Sequence, residues 1–285
     1  GITMPVVKHN YIVKDITELA DTIREAFAIA NEGRKGPVLI DIPKDITIGK
    51  TEYEKTEPKV LIHHNPDDIN EQIAAAAELI KAAEKPFIYA GGGVVSCDAV
   101  EEMAEFVRKC DAPVSLSLMG QCGFDNTKDN YIGMLGMHGT KTAALALSGC
   151  DLLVVLGSRF SDRVLCNAST FAKDTKIIHV EIDPAEIGKN IDVDSYVNGD
   201  LKYILSKFNE ILPDMKHEEW MSQIADWKGI YALKMVPFED DEEVLPQDVL
   251  EELEYDVDQM EAFYDSCSNL NIEIIEDFTI DTDDL

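Results

Sequence analysis

The chain has 285 residues, enough for one large domain or two smaller ones, and its 45% hydrophobic content is typical of a soluble globular protein. A net charge of −30 disfavours nucleic-acid partners, which need a basic face. The sequence contains no run of about 18 apolar residues, so no membrane span is indicated. The first residues lack the apolar segment of a signal peptide, and six scattered cysteines without CxxC spacing favour reduced thiols, so we expect a cytoplasmic protein.

The first predicted elements are one helix and one strand. Apolar residues recur at helical spacing over 15–31, which predicts a helix that Asp15 caps and Gly33 ends. The apolar run GPVLIDIP at 36–43 is bounded by glycine and proline and predicts a buried strand. Residues 51–68 are polar and contain two prolines, as is typical of an interdomain linker.

From residue 69 onward the pattern alternates between strands and helices. Such alternation is the signature of a doubly wound parallel sheet with helices on both faces, so we expect an α/β domain over residues 69–215. The strand order cannot be deduced from this pattern. The predicted helices are 69–83, about 97–109 and 201–211, and the predicted strands are 86–90, 113–117, 175–183 and 195–200.

Residues 131–164 are predicted to contain the ligand site. They are interpreted as a glycine-bearing loop, a helix of small residues that Thr140 caps, a buried strand, and a loop that carries two arginines. Gly136 and Gly139 would let backbone approach a ligand, and the helix start would present N–H groups to a pyrophosphate. An ordinary strand–helix unit with surface arginines would show the same spacing, so both interpretations stay open here.

The residue identities in this stretch are more specific than the spacing of its elements. GMLGMHGT followed by GSRFSDRV closely resembles the central, FAD-binding domain of the acetolactate synthase (acetohydroxyacid synthase) catalytic subunit, a thiamine diphosphate enzyme. The resemblance covers roughly residues 1–235. It implies that 1–50 is the end of a pyrimidine-binding domain, that 216–235 starts the connection to a diphosphate-binding domain, and that the chain is a fragment. The sequence departs from the family pattern at Ser158, Ser161, Leu165 and Cys166.

The resemblance also implies which residues contact the cofactor. Glu181 ends a strand, the usual position of an acid that binds ribose hydroxyls, although an acid at such a position more often caps a helix. A substrate channel is implied at Lys44, Met137 and Asp162. The implied FAD contacts are Arg34, Gly91, Gly92, Gly93, Ser117, Leu118, Leu135, Gly136, Met137, His138, Gly157, Ser158, Arg159, Asp162, Arg163, Val164, Glu181, Ile182, Asp200 and Leu201.

An intact parent enzyme of this family would condense two pyruvates, or pyruvate and 2-oxobutyrate, in branched-chain amino-acid synthesis. Its cofactors would be thiamine diphosphate, Mg²⁺ and FAD, and its partners a homo-oligomer and a regulatory small subunit. The family's GDG segment is absent and its activating glutamate would precede Gly1, so we expect no catalytic residue and no metal site in this chain. Two alternatives are another thiamine diphosphate enzyme, such as a glyoxylate carboligase or pyruvate oxidase, and a non-enzymatic flavin- or nucleotide-binding module.

Residues 236–285 differ from the rest in composition. They contain 19 Asp or Glu residues and no Lys or Arg, which leaves −11 for the other 235 residues. We interpret them as an acidic tail of unrelated origin that could serve interaction, with a faint resemblance to the N-terminal region of primary bacterial sigma factors. Self-repulsion predicts that this tail is loosely docked.

The missing catalytic segments generate a test of the fragment interpretation. Purified chain supplied with pyruvate, thiamine diphosphate, Mg²⁺ and FAD is expected to form no acetolactate, because neither the activating glutamate nor the GDG segment is present. The measurement is acetolactate formed above a control without protein. Turnover above that control would contradict the interpretation.

Overall fold

The computed structural model describes residues 1–56, 65–165, 171–173 and 175–231. The predictions for the tail 236–285, for residues 57–64 of the linker, for the end of the connection 216–235 and for the departure at Cys166 therefore concern residues outside the described ranges. The described residues all belong to one compact unit, Gly1–Tyr231.

The first 56 residues form a small α/β element. Two parallel strands, β1 (His9–Ile12) and β2 (Val38–Asp41), flank helix α1 (Leu19–Asn31), and the short helix α2 (Lys44–Ile48) follows. The prediction that 36–43 is a buried strand is wrong in one respect. β2 alternates between half-buried and exposed residues, because among the described residues only β1 pairs with it.

A six-stranded parallel sheet follows and confirms the predicted α/β class. Its strands are β3 (Pro86–Ala90), β4 (Val114–Leu116), β5 (Tyr131–Met134), β6 (Leu152–Leu156), β7 (Lys176–Glu181) and β8 (Ser195–Asn198). Their order is β5-β4-β3-β6-β7-β8, so that the chain first builds outward from β3 and then returns to build from its other side. The switch between the two halves lies between β3 and β6, whose five residues pair in register.

Helices cover both faces of this sheet. They are α3 (Ile69–Ala82), α4 (Gly92–Ser96), α5 (Val100–Cys110), α6 (Lys141–Gly149), α7 (Asp162–Leu165), α8 (Leu201–Ile211) and α9 (Glu218–Ile230). Because successive strand residues face opposite sides, Ile88 and Ala90 pack in one hydrophobic core with α3, α5 and α8, whereas Phe87 and Tyr89 pack in the other with α6 and α9. Both strands of the switch are buried along their whole length, as is typical of parallel sheets.

Helix α9 is anchored at the amino end of the central strand. The Trp220 indole Nε1 donates to the Pro86 carbonyl oxygen at 3.0 Å, and Trp227 packs edge-on against Trp220. Trp220 and Ile224 are both buried. The sheet therefore has its two tryptophan rings at one end and its functional loops at the other.

Three local predictions need correction. The helix over 15–31 begins with a 3₁₀ turn at Ile16–Glu18, and the Asp15 carboxylate accepts from the Thr17 amide of that turn. The glycine-bearing loop at 131 is strand β5, which the sequence hides because it is four residues long and contains Gly133 at a φ of +96°. The run Gly91-Gly92-Gly93 after β3 is predicted to form a turn, whereas in the structure it continues directly into helix α4.

Two backbone segments meet at the switch with no room for side chains. A Cβ on Gly91 would overlap the Gly157 carbonyl oxygen and lie 2.7 Å from the Ser158 Cβ. A Cβ on Gly157, whose φ is +57°, would lie 2.7 Å from the Gly93 Cα. The loops after β3 and β6 can approach this closely only because these positions are glycines.

This contact generates a stability prediction. Gly91→Ala is expected to lower the free energy of unfolding by about 1–3 kcal/mol, because the added methyl group meets rigid backbone. The measurement is urea unfolding followed by circular dichroism. Gly229→Ala is the matched control, since Gly229 lies at an exposed position of α9 with open space around it, and it is expected to stabilise by roughly 0.5–1 kcal/mol. Equal unfolding midpoints in the two variants would contradict the prediction.

Candidate functional site

A cavity of about 1100 Å³ lies at the carboxyl ends of the parallel strands. Its walls are the loops that follow the six strands of the sheet, together with the loop Gly33–Lys35 from the first 56 residues. Ligands of doubly wound sheets bind at this edge, at the point where the strand order reverses. The close glycine contact between the loops after β3 and β6 is at that point.

Positive side chains are concentrated around the cavity. Five cations line it, against three carboxylates, although the chain as a whole carries a net charge of −30. Within the described ranges the guanidinium groups of Arg159 and Arg163 make no ion pair or hydrogen bond, and the hydrogen bonds of these two residues use their backbone atoms. The cavity is therefore suited to a ligand with negative charge. The five cations are Arg34, Lys35, Arg159, Arg163 and Lys202.

Glu181 lies at the carboxyl end of β7 and is 7% exposed. Its Oε1 accepts from the amides of Ile182 at 3.0 Å and Asp183 at 3.3 Å. Burial raises the pKa of this carboxyl, against the opposing effect of the two amides and of Arg34. Glu181 is thus a cavity-lining carboxyl in the position that binds ribose hydroxyls in dinucleotide sites.

Asp200 caps a helix at the wall of the cavity. Its carboxylate accepts from the Tyr203 amide at 2.8 Å and caps α8, which is the frequent use of an acid before a helix. Asp200 also lines the cavity together with Leu201 and Lys202. The structure therefore supports the capping interpretation and places the same residue where a ligand could meet it.

Ser158, one of the departures from the family pattern, is hydrogen-bonded through its backbone carbonyl to a buried histidine. The buried His179 on β7 has its Nε2 2.8 Å from the Ser158 carbonyl oxygen, so Nε2 carries the proton and donates. Burial lowers the pKa of His179, which keeps the ring neutral. A neutral ring in this tautomer fixes the backbone of the loop that lines the cavity.

The structure brings most of the predicted cofactor residues together. All of the implied FAD contacts line this one cavity except Gly136 and Asp162. Gly136 has a φ of +111° and packs against the Arg163 carbonyl, 2.6 Å from where its Cβ would be, so its glycine serves the turn. Asp162 opens α7 and accepts from the Arg163 amide at 2.9 Å, and Lys44 lies exposed at the start of α2.

The predicted anion site at the start of α6 lies outside this cavity. Thr140 does cap the helix, with its hydroxyl accepting from the Ala143 amide at 3.2 Å. Neither Thr140 nor Gly139 lines the cavity, because Gly139 packs tightly against the Met134 carbonyl. The cavity instead meets the starts of α4 and α8.

Several cavity residues were not predicted from the sequence. Tyr89 has the pattern of a core residue of β3, and it is fully buried, yet its ring lines the cavity and its hydroxyl has no hydrogen-bond partner among the described residues. Cys97 is half-buried, and burial raises the pKa of its thiol to about 11, which keeps it protonated. The remaining unpredicted lining residues are Gly33, Lys35, Ser96, Asp98, Met119, Met134, Ser161, Val180 and Lys202.

Two further properties of the described part concern metal ligands and membrane-spanning helices. Within residues 1–56, 65–165, 171–173 and 175–231, no cluster of three or more His, Cys, Asp or Glu side chains is arranged to hold a metal ion. None of the helices in these ranges has the length and apolar character needed to cross a bilayer.

Comparison with known proteins places this domain in a family. Residues 73–208 match the family model described as "Thiamine pyrophosphate enzyme, central domain", within the predicted 69–215. Residues 73–208 are therefore similar to the central domain of thiamine pyrophosphate enzymes.

Its relatives are more specific. The chain is 41% identical over 258 residues to an acetolactate synthase large subunit of Parasynechococcus marenigrum, a match that covers 88% of this chain and 42% of the relative. It is 41% identical over 261 residues to a probable acetolactate synthase large subunit of Methanocaldococcus jannaschii, covering 89% and 44%. An acetolactate synthase of Mycobacterium leprae is 38% identical over 261 residues, covering 89% and 42%. These matches confirm the resemblance, and the chain spans less than half of each relative.

The buried Glu181 generates a pH-dependent prediction. A carboxyl whose folded pKa is raised above its ordinary value of 4.5 contributes stability below that value, and the contribution is lost as pH rises through the raised pKa. Glu181→Gln does not titrate, and its amide oxygen can still accept from the two backbone amides. The ligand-free variant is therefore expected to unfold at higher urea concentration than wild type at pH 7, with the difference vanishing below pH 4.5.

The matched control for this prediction is Glu84→Gln, which removes an exposed carboxylate outside the cavity. Its difference from wild type should not grow between the two pH values. A Glu181→Gln variant less stable than wild type at pH 7 would show that the carboxylate is stabilising where it lies.

Proposed function

We propose that this chain is the FAD-binding part of an acetolactate synthase large subunit. The observation that carries the proposal is the cavity at the switch point of this acidic chain. It joins a floor of glycine backbone to arginines that have no ion-pair partner among the described residues. The similarity to acetolactate synthase large subunits supports the same conclusion.

The residues of the cavity fit a flavin dinucleotide. A volume of about 1100 Å³ is above the range of roughly 300–1,000 Å³ common for drug-sized ligands, so there is room for an extended dinucleotide. The glycine backbone around Gly91 and the guanidinium of Arg159 would hold the pyrophosphate. Glu181 would accept from the ribose hydroxyls.

Exposed apolar side chains in the cavity would contact the remaining part of the ligand, the isoalloxazine ring. Leu118, Met119 and Met137 all line the cavity, and they are 73%, 78% and 56% exposed. Large apolar side chains gathered at one exposed place are typical of a ligand-binding surface. An isoalloxazine ring is flat and largely apolar, so it would cover these side chains, and the flexible methionines would adapt to its edge.

The activity of the whole enzyme is proposed from the relatives. Acetolactate synthase would join two pyruvates, or pyruvate and 2-oxobutyrate, and thiamine diphosphate would supply the carbanion chemistry of that condensation. The described residues of this chain would bind and orient the flavin and exclude water from it. We infer that Mg²⁺ and thiamine diphosphate bind to sequence other than these residues, and that the partners of the enzyme are further copies of itself and a regulatory small subunit. A cytoplasmic location is proposed on the same basis.

The proposed function is tested by flavin binding. Arg159→Ala is expected to weaken FAD binding by about 1.5–3 kcal/mol, the range for a hydrogen bond to a charged group, because Arg159 lines the cavity without an ion pair to a described residue. The measurement is quenching of flavin fluorescence in titrations of the 285-residue chain.

Arg108→Ala is the matched control, since it removes a guanidinium that pairs with Glu105 and Asp214 away from the cavity. Its FAD affinity should equal that of wild type. Titrations with FMN and ADP separate the flavin site from a general nucleotide-binding module. ADP binding as tight as FAD binding would favour the module, and equal FAD affinity in the two arginine variants would contradict the proposed site.

A further inference from the structure

The loop Gly33–Lys35, called here the strap, crosses between the two halves of the sheet. It leaves α1 with Gly33 at a φ of +53° and enters β2, and all three of its residues line the cavity. The strap therefore forms one wall of the cavity, although it is distant in sequence from the loops that form the others.

The strap is held on both sides. Arg34 Nη1 donates to the Asp183 Oδ2 at 2.9 Å and to the Glu186 Oε1 at 2.8 Å, beyond the end of β7. Lys35 Nζ donates to the Ser96 carbonyl oxygen at 2.7 Å, at the end of α4 after β3. Because β3 and β7 lie on opposite sides of β6, these bonds span the switch point.

The two carboxylates that Arg34 contacts differ in burial, and burial decides how much the loss of Arg34 would cost at each of them. Glu186 is 7% exposed, whereas the side chains of Arg34 and Asp183 are 41% and 23% exposed. An exposed ion pair contributes little, but a buried carboxylate that loses its partner is strongly destabilised. Glu186 is also paired with Lys189 at 3.2 Å, so it retains one cation if Arg34 leaves. Loss of Arg34 therefore costs more at Glu186 than at Asp183, and the pair with Lys189 limits that cost.

Both carboxylates use the same nitrogen of Arg34. A guanidinium carries five N–H donors, and the two recorded bonds come from Nη1 alone. The Nε and Nη2 donors have no hydrogen-bond partner in the described ranges. The carboxylates thus fix the orientation of the guanidinium while the other donors remain available to a ligand in the cavity.

We propose that Asp183 and Glu186 are positioning residues that hold the strap closed across the cavity, so that a bound dinucleotide leaves only after Arg34 releases both carboxylates. This inference rests on the proposed function for its ligand. The closed strap itself is inferred from the contacts of Arg34 and Lys35 and does not depend on the identity of the ligand.

The closed strap is tested first without ligand. Trypsin cuts after Arg34 and Lys35, which both lie in the strap. In Asp183→Asn/Glu186→Gln these cuts are expected to be about tenfold faster than in wild type. The reason is that loss of the paired charges raises the population of the open strap by roughly a factor of ten. The Asp183→Asn change keeps a side-chain oxygen for the Ala185 amide, so the cap at this turn survives. Cutting after Lys81 in α3 serves as the internal reference for global unfolding.

Lys189→Met is the matched control, because it removes the other cation of Glu186 and leaves Arg34 in place. Its cutting rate at the strap should stay within about twofold of wild type, the scale of an exposed pair. A double variant cut no faster than wild type, relative to Lys81, would overturn the closed strap.

The second measurement is the rate of FAD dissociation, followed by recovery of flavin fluorescence on dilution. Asp183→Asn/Glu186→Gln should release FAD about fivefold faster, and Arg34→Ala at least that much faster because it also removes donors available to the ligand. The triple variant should release FAD no faster than Arg34→Ala, since residues acting through one contact are not additive. Additive losses would overturn the positioning role. A wild-type chain that binds no FAD overturns the proposed function, and the tryptic rates then decide the closed strap alone.

Discussion

The contact between Gly91 and Gly157 is the constraint on which the rest of the site depends. At this point the loops after β3 and β6 approach backbone to backbone, with Gly93 donating to the Gly157 carbonyl at 3.1 Å. Any side chain here would separate the two halves of the sheet at their carboxyl ends. The glycines therefore set both the packing of the central strands and the depth of the cavity above them, so stability and binding depend on the same residues.

The larger elements of this fold could be predicted from the sequence because each carries its own signal. Strand β3 and helix α8 have the predicted bounds, since a short apolar run or an apolar stripe is a local property. Strand β5 was not predicted, because its pairing with β4 is long-range and irregular. The strand order likewise depends on contacts between distant segments, which no local pattern records.

The site was predicted from the similarity of its sequence motifs to those of a known family more than from the chemistry of the individual residues. The residues in glycine-rich motifs were found because those motifs are distinctive, whereas Tyr89, Cys97 and Lys202 lie in segments with the pattern of core or surface. Gly136 is predicted to approach the ligand, and it lies in a turn outside the cavity lining. A glycine at positive φ and a glycine beside a ligand look the same in a sequence. The partners of Arg34 lie about 150 residues away, at Asp183 and Glu186, and only the folded chain shows them.

The position of α9 separates two optical signals in this chain. Both tryptophans, Trp220 and Trp227, lie in that helix, and Trp220 is bonded to the first residue of β3, at the opposite end of the strand from the cavity. Indole emission therefore reports whether α9 is seated on the sheet, and isoalloxazine emission would report what occupies the other end. A change in indole emission alone would indicate that α9 has loosened from the sheet, whereas a change in isoalloxazine emission alone would indicate loss of the flavin.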